Sequence, residues 1–228
     1  MEISAPQRSP LDIGEPFAEL FSEVIAGTAY LDAAKSLAEA SKSHPVMIQA
    51  SPSFFNLTTR AHLEAAQLCA ARLFDIHEDC AGIPWLLKQA KYRAEEFNHR
   101  TSIDLEHAIA EAEESCAAKA KVLAAIKHRR DRWLAHLDRR TIRDRDQFAK
   151  DAQLTYPELE QLFACAAEIL NTMADLRGQA GFLIFGDDYD DLHHTLSLVE
   201  KGVQANAQEL ERRTNLPDSG PAPGLGAT

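Results

Sequence analysis

The chain has 228 residues, of which 45% are apolar and 26% are charged, and its formal net charge is −11. This length can bury one large core or two small ones, and the acidic balance argues against a general binder of polyanions. The longest apolar run, at 181–185, is too short to cross a bilayer.

The N-terminal ten residues contain no charged start followed by an apolar block, so no secretory signal is expected. Four cysteines are spread along the chain without a CxxC pair: Cys69, Cys80, Cys116 and Cys165. We therefore expect small core residues in a protein of the reducing cytoplasm, rather than disulfides or a zinc site.

The first half of the chain predicts three helices. Apolar residues at helical spacing indicate a first helix over about 17–42, and a second helix is predicted over about 53–74. Residues 43–53, which contain two prolines, are interpreted as a connection between them. A short third helix over 83–97 has Pro84 in its first turn, where proline is favoured.

The second half predicts three more helices. A long fourth helix is expected over about 105–139, and the sequence TYPE at 155–158 is typical of a capped start for a fifth helix that ends near 176. Residues 177–188 contain three glycines and are expected to form an extended turn or a short strand. A sixth helix is predicted over about 189–213.

These patterns predict an all-α protein. We expect an antiparallel bundle of about six helices that forms a single domain over residues 1–213. The tail over 214–228 is rich in Pro and Gly and has little to bury, so disorder is expected there.

Positive charge is concentrated in residues 127–145 of this acidic chain. This segment contains three aspartates but eight basic residues, namely Lys127, Arg129, Arg130, Arg132, Arg139, Arg140, Arg143 and Arg145. A basic island of this kind indicates one localised anion site. A solvated helix face favoured by the helix dipole is the alternative.

Arg130 lies at the centre of an apolar stripe on the fourth helix. On a wheel of 100° per residue, the stripe lies within about 60° of it and consists of Leu123, Ile126, Trp133, Leu134 and Leu137. A charge in that position must reach solvent, pair with a carboxylate or line a cleft. Asp75 and Asp131 are the candidate partners.

His136 lies about 120° from Arg130 on the same wheel, among the other arginines. A straight helix would not direct both side chains at one atom. Their convergence would require a helix distortion near residue 136, or two copies of the segment that meet across a dimer interface.

The segment RDRWLAH at 130–136 resembles the motif of the HEPN superfamily of helical nucleases, in which Arg and a polar residue are followed by four residues and His. The longer RDRWLAHLD, which includes Asp138, looks like the abortive-infection (AbiU-like) branch. Residues 54–75 are similar to the early helix of that branch, which tends to end in Arg-Leu-Phe-Asp. The resemblance covers about residues 15–205.

The resemblance implies a metal-independent endoribonuclease that acts as a homodimer in phage defence or a toxin–antitoxin system. It needs no cofactor, and its expected partners are RNA, a second copy and an antitoxin protein. Arg130 would clamp the phosphate, His136 would act as general acid and base, and Asp131 would orient one of them. Five further arginines would attract RNA, namely Arg129, Arg132, Arg139, Arg140 and Arg143.

Two alternatives remain open. The first is a non-catalytic HEPN-like module that binds a protein or a nucleic acid. The second is a metal-containing four-helix bundle, which requires two Glu-x-x-His pairs. Glu96 and His99 form only one such pair, and Asp191 with His194 is an imperfect second. The loop at 75–80 also contains ligand types (His77, Glu78, Asp79 and Cys80), but polar residues in a loop need no metal.

Overall fold

The computed structural model describes residues 13–97, 104–134, 152–181 and 190–214, together with positions 139, 143, 144, 146, 147 and 150. The α-helices of the described residues are α1 (Gly14–Ser43), α2 (Pro45–Ala50), α3 (Pro52–Leu73), α4 (Ile83–Tyr92), α5 (Leu105–Ala118), α6 (Ala120–Arg129), α7 (Tyr156–Leu176) and α8 (Asp190–Thr214). A 3-10 turn covers Ala94–Phe97, and a π-helical segment covers Arg130–Leu134. The described part of the chain contains no strand, so the predicted all-α class is confirmed.

Two features raise the number of helices above the expected six. The connection at 43–53 contains α2, which begins at Pro45 and buries Met47. The predicted fourth helix is interrupted at Lys119, whose N–H binds the carbonyl of Cys116 at 3.1 Å, three residues back instead of four. Residues 182–189 of the predicted extended turn and residues 215–228 of the predicted tail lie outside the described residues.

Helix α1 forms the centre of the bundle and packs against α3, α7 and α8. Its large buried side chains share one face, since Phe17, Leu20, Phe21, Val24 and Leu31 lie within about 100° of one another on the helix. The opposite side of the first half of α1 is exposed at Glu15, Glu19 and Ser22. The apolar stripe of α1 therefore faces the core that it shares with α3 and α7.

Contacts along α1 show that its two main neighbours run antiparallel to it. Toward α3, Glu23 pairs with Arg72 and the Tyr30 ring contacts His62, so residue numbers rise on one helix as they fall on the other. Toward α7, Lys35 pairs with Glu160 near one end. The Arg177 guanidinium lies over the Phe17 ring at 5.6 Å near the other end. The predicted antiparallel arrangement is confirmed for these helices.

Gly27 lets α1 and α7 approach closely. A Cβ added to Gly27 would lie 2.2 Å from an edge carbon of the Phe163 ring and 3.0 Å from the Cβ of Cys69. Real Cβ contacts are longer, so any side chain at this position would force the ring or the helices apart. Glycine is thus required by packing here, although it is a poor helix former.

Helix α8 is attached to the bundle only along its first half in the described residues. Leu196 joins a small apolar cluster with Leu37, Ala40, Met47 and Phe55. His44 Nδ1 pairs with the Glu200 carboxylate beside that cluster. Beyond Glu200, the side chains of 201–214 are exposed, except that Val203 is half-buried. None of the described helices combines the length and the apolar character needed to span a membrane.

Candidate functional site

The backbone changes from α-helix to π-helix at the first residue of the predicted motif. Helix α6 ends at Arg129, and the π-helical segment begins at Arg130 and continues to Leu134. Such segments are rare and occur often at functional sites. If Arg130 and His136 of one chain act on the same atom, the sequence predicts that their helix is distorted near residue 136. The structure has a distortion just ahead of that position, while His136 itself lies outside the described residues.

The Arg130 guanidinium is held by two carboxylates. Its Nη1 donates to Oδ2 of Asp75, and its Nε donates to Oδ1 of Asp131 at 2.8 Å. The Arg130 side chain is 27% exposed, so it reaches the surface while it remains paired. Both candidate partners named from the sequence are therefore partners in the structure. The hydrogen bond to Asp131 and the charge of Asp75 raise the pKa of Arg130 above its usual value, against the effect of burial.

Asp75 is the first residue after the turn that ends α3, and its carboxylate is 17% exposed. Its Oδ1 accepts a hydrogen bond from the backbone N–H of His77 at 3.0 Å. Burial alone would raise the pKa of Asp75, but the His77 N–H and Arg130 outweigh it and hold the pKa below its usual value. Burial and the neighbouring Asp75 carboxylate raise the pKa of the Cys80 thiol. Asp75 thus remains an anion that faces Arg130.

Arg129 has a different environment from Arg130. Its Nε donates to the backbone carbonyl of Ala152 at 2.6 Å, and its Nη1 donates to Oε1 of Gln67 at 3.1 Å. Gln67 is only 2% exposed, and burial lowers the pKa of Arg129 below its usual value. Arg129 therefore connects α6 to α3 and to the residues that precede α7. Its predicted role in RNA binding stays a prediction.

The contact between Arg129 and Gln67 was not anticipated, although the sequence contained a signal. Gln67 interrupts the apolar run AAQLCAA on α3, where an unpaired amide would be costly to bury. Such a residue indicates a polar partner from a neighbouring helix. The signal does not say which partner, because several arginines of 127–145 have a similar reach.

Of the four remaining predicted RNA-binding arginines, three fall within the described residues. Arg132 is half-buried, whereas Arg139 and Arg143 are exposed. Arg140 lies outside the described residues. The structure therefore brings Arg130 into contact with Asp75 and Asp131. The described arginines Arg132, Arg139 and Arg143 follow these contacts in the chain.

A cavity of about 170 Å³ opens beside Arg130. Its walls come from α3 and α6 and are mostly apolar, with Ala70, Ala71, Phe74, Leu123, Ala124 and Ile126. Asp75, Lys127 and Arg130 are its charged residues, and we call them its charged end because Arg130 pairs with Asp75 and Lys127 lies one helical turn before Arg130. Ile76 completes the lining. We call this space the α3–α6 cavity.

Asp75 also lines a second cavity of about 250 Å³ on its other side. That cavity is bounded by Glu19, Leu20, Glu23, Arg72, Asp75, Cys80 and Ala81. Arg72 donates to both carboxylate oxygens of Glu23 at 2.9 and 2.8 Å, so this acidic wall is partly neutralised. Within the described ranges, no three His, Cys, Asp or Glu side chains are grouped as a metal ion would require. His99 of the alternative metal motif lies outside those ranges.

The two stretches that carry the family resemblance, 54–75 and 130–138, meet at the ion pair between Asp75 and Arg130. No curated protein and no solved structure matches the chain. The sequence model of the HEPN_AbiU2 family, described as AbiU2, matches residues 11–199. This match ends beside Glu200, the α8 residue that pairs with His44. Since it covers more than half of the chain, the protein belongs to the HEPN_AbiU2 family.

Proposed function

We propose that this protein is a metal-independent endoribonuclease of a phage-defence or toxin–antitoxin system. One observation carries the proposal. The arginine of the family-type motif begins a π-helical segment, is oriented by two carboxylates and lines a cavity. Membership of an abortive-infection family supports the biological setting.

Arg130 is the proposed phosphate clamp. A guanidinium has five N–H donors, and the contacts to Asp75 and Asp131 use two of them. The donors that remain can bind two oxygens of one phosphate, and they would stabilise the extra charge of a pentacoordinate transition state. The carboxylates would hold the guanidinium in a fixed orientation before RNA binds, which lowers the cost of reaching the transition state.

His136 is the proposed general acid and base. It would take the proton from the RNA 2′-hydroxyl, whose oxygen then attacks the adjacent phosphorus, and a proton would pass to the departing 5′-oxygen. The products would be a 2′,3′-cyclic phosphate and a 5′-hydroxyl. DNA would resist cleavage because it lacks the 2′-hydroxyl. The contact between Asp131 and Nε of Arg130 favours Asp131 as the residue that orients the arginine rather than the histidine.

The surrounding arginines are proposed to attract the RNA backbone. Arg132, Arg139, Arg140 and Arg143 would contribute by charge, so binding should weaken as salt rises. Arg129 was predicted to act in the same way. Its contacts to Gln67 and Ala152 favour an indirect contribution, in which it fixes the end of α6 so that Arg130 is positioned.

The assembly and setting are also proposals. We infer a homodimer in which two motif segments lie near one another, an antitoxin or other defence protein as partner, and a cytoplasmic location. In such a dimer, Arg130 of one copy and His136 of the other could act on the same phosphate, which a single straight helix does not allow.

The function is tested by cleavage of a labelled mixed RNA pool in excess EDTA. We would compare the wild type with Arg130→Ala and His136→Ala, after confirming by circular dichroism and sedimentation that all three fold and assemble alike. Cleavage by the wild type that both substitutions abolish is the expected result. Cleavage that persists in His136→Ala would show that the motif is not the catalytic one.

A second candidate is the non-catalytic binding module. It is favoured by the exposed apolar residues Leu198 and Val199, which are neighbours on α8, because apolar side chains that are exposed together can mark a protein-binding surface. A wild-type protein that binds but never cleaves RNA, or that binds only a protein, would favour this candidate.

A further inference from the structure

We propose that the α3–α6 cavity is a base pocket, which holds the nucleobase of a ribonucleotide whose phosphate is bound by Arg130. This inference rests on the proposed function and makes it more specific, because it names residues that would decide which RNA base is accepted. It depends only on described residues of α3, α6 and the adjacent loop.

The size of the cavity indicates a ligand group of about one ring system. Its volume of about 170 Å³ is far larger than the roughly 10–15 Å³ that a single water requires. It is smaller than the roughly 300–1,000 Å³ of pockets that enclose a whole drug-sized molecule. A nucleobase, with the rest of the nucleotide outside, is a group of this size.

The distribution of charge identifies the kind of molecule. Seven of the ten lining residues are apolar, and they include Phe74, whose aromatic side chain is a surface on which a flat base can pack. The other three form the charged end, in which Lys127 and Arg130 are cations and Asp75 is an anion. A ligand that matches this distribution has a largely apolar ring joined to an anion, with hydrogen-bonding groups on the edge nearest the charges. A nucleotide has all three features, whereas an aliphatic side chain from another protein has only the first.

Asp75 can also contribute selectivity at that end. Its carboxylate accepts hydrogen bonds and stays ionised because of Arg130 and the His77 N–H. A carboxylate accepts from the exocyclic amino groups of cytosine, adenine and guanine, whereas uracil offers only its ring N3–H, which lies between two carbonyl oxygens that a carboxylate repels. The pocket should therefore prefer amino-bearing bases to uracil.

The test is to fill the cavity without altering its charged end. Ala124 lines the cavity and is also exposed to solvent, so Ala124→Leu should fold normally. Ala205→Leu is the matched control, since Ala205 is an exposed alanine on the outer half of α8. Binding of AMP, GMP, CMP, UMP and ribose 5-phosphate would be measured by NMR titration of the full chain.

We expect at least one amino-bearing nucleotide to bind the wild type roughly tenfold more tightly than ribose 5-phosphate, as base stacking of ordinary strength requires. Ala124→Leu should remove this difference, and Ala205→Leu should keep it. Equal binding of the nucleotides and ribose 5-phosphate to the wild type would overturn the proposal. So would an Ala124→Leu protein that binds nucleotides normally but changes its monomer–dimer equilibrium, because the cavity would then receive a second copy of the chain.

The same proteins separate this inference from the proposed function. Base-dependent binding that Ala124→Leu abolishes, in a wild type that cleaves no RNA, would support the pocket and overturn the nuclease. RNA cleavage that requires Arg130 but is identical in rate and base preference in Ala124→Leu would support the nuclease and overturn the pocket.

Discussion

Arg130, the first residue of the π-helical segment, donates a hydrogen bond from Nη1 to the carboxylate of Asp75, which follows the end of α3. These residues are 55 positions apart in the chain. The contact joins the two segments by which the sequence resembles its family. It also orients the guanidinium that we propose as the phosphate clamp. The contribution of this contact to the free energy of unfolding does not depend on any activity of the protein.

Asp75→Asn is expected to lower the free energy of unfolding at pH 7 by about 1 to 2 kcal/mol, because a partly buried charged hydrogen bond is lost. Asp131→Asn should cost less, since Asp131 is 45% exposed and solvent screens its pairing with Arg130. Urea unfolding of the two variants and the wild type measures both effects. An Asp131→Asn protein that loses as much stability as Asp75→Asn would contradict this ranking.

The ion pair should also appear in the pH dependence of stability. The pKa of Asp75 lies below its ordinary value of 3.8 in the folded chain, so the folded state binds that proton less readily than the unfolded state. The stabilisation is complete above the unfolded-state pKa and is lost as the pH falls through the lower folded-state value. Urea unfolding between pH 5 and about pH 2.5 should show a shallower loss for Asp75→Asn than for the wild type. Parallel curves would mean that Asp75 does not contribute.

Gly27→Ala should destabilise the fold, whereas Gly202→Ala should leave its global stability almost unchanged. The added methyl at Gly27 meets the Phe163 ring, and overpacking of this kind costs about 1 to 3 kcal/mol. A Cβ at Gly202 on α8 meets nothing within 4 Å, and Gly202 lies beyond Glu200 in the part of α8 that frays by itself, so its better helix propensity should change the global free energy of unfolding by less than about 0.5 kcal/mol. Thermal unfolding compares them directly. A neutral Gly27→Ala would show that the ring moves aside at little cost.

Arg129→Met should destabilise the fold by about 1 to 3 kcal/mol, because the Gln67 amide oxygen and the Ala152 carbonyl lose their donor inside the protein. Arg143→Ala, at an exposed position, should stay within about 0.5 kcal/mol of the wild type. If RNA binds as proposed, Arg143→Ala should instead reduce the slope of log affinity against log salt by about 0.7. Unfolding curves and salt titrations of RNA binding together distinguish a structural arginine from an RNA-binding one. An Arg129→Met protein that unfolds like the wild type would show that Arg129 is not a structural residue.

Thr155→Ala should lower the free energy of unfolding by about 0.5 to 2 kcal/mol, which is the usual effect of removing a helix N-cap side chain. The Thr155 hydroxyl accepts from the N–H of Glu158 at 3.4 Å, and the Glu158 carboxylate accepts from the N–H of Thr155 at 2.8 Å. Thr155→Ser keeps the hydroxyl and is the control. Chemical denaturation should place Thr155→Ser near the wild type and Thr155→Ala well below it. Equal losses in the two variants would attribute the effect to the lost methyl group.

Much of the fold was predictable because its signals are local. The cap at Thr155 and the prolines at the starts of helices fix boundaries in the sequence, and α3 and α7 begin within a residue of their predicted starts. Helix α2 was missed because six residues are too few to show periodicity. The interruption at Lys119 was missed because neither glycine nor proline marks it, and a continuous apolar pattern runs through it.

The site was predictable in part for a different reason. A charge centred on an apolar stripe must reach solvent, pair with a carboxylate or line a cleft, and Asp75 and Asp131 are the partners that the sequence predicts for Arg130. The wheel could not reveal the π-helical segment, since it assumes 100° per residue throughout. It also could not separate the buried Arg129 from the exposed Arg143, because that difference depends on Gln67, which lies on another helix.

Helix α8 packs on the bundle only along its first half, so we expect the backbone amides of its two halves to exchange with solvent at different rates. Up to Glu200, amide protons are protected by a helix that is packed on the bundle, so they exchange only when that packing opens. Beyond Glu200, the side chains are exposed except for the half-buried Val203, so within the described residues this part of the helix depends mainly on its own hydrogen bonds, and a segment of this length is marginal in water. Its amides should therefore exchange far faster than those of α1. The part of the chain that unfolds as one cooperative unit therefore ends near Glu200, although the helix itself continues beyond that residue.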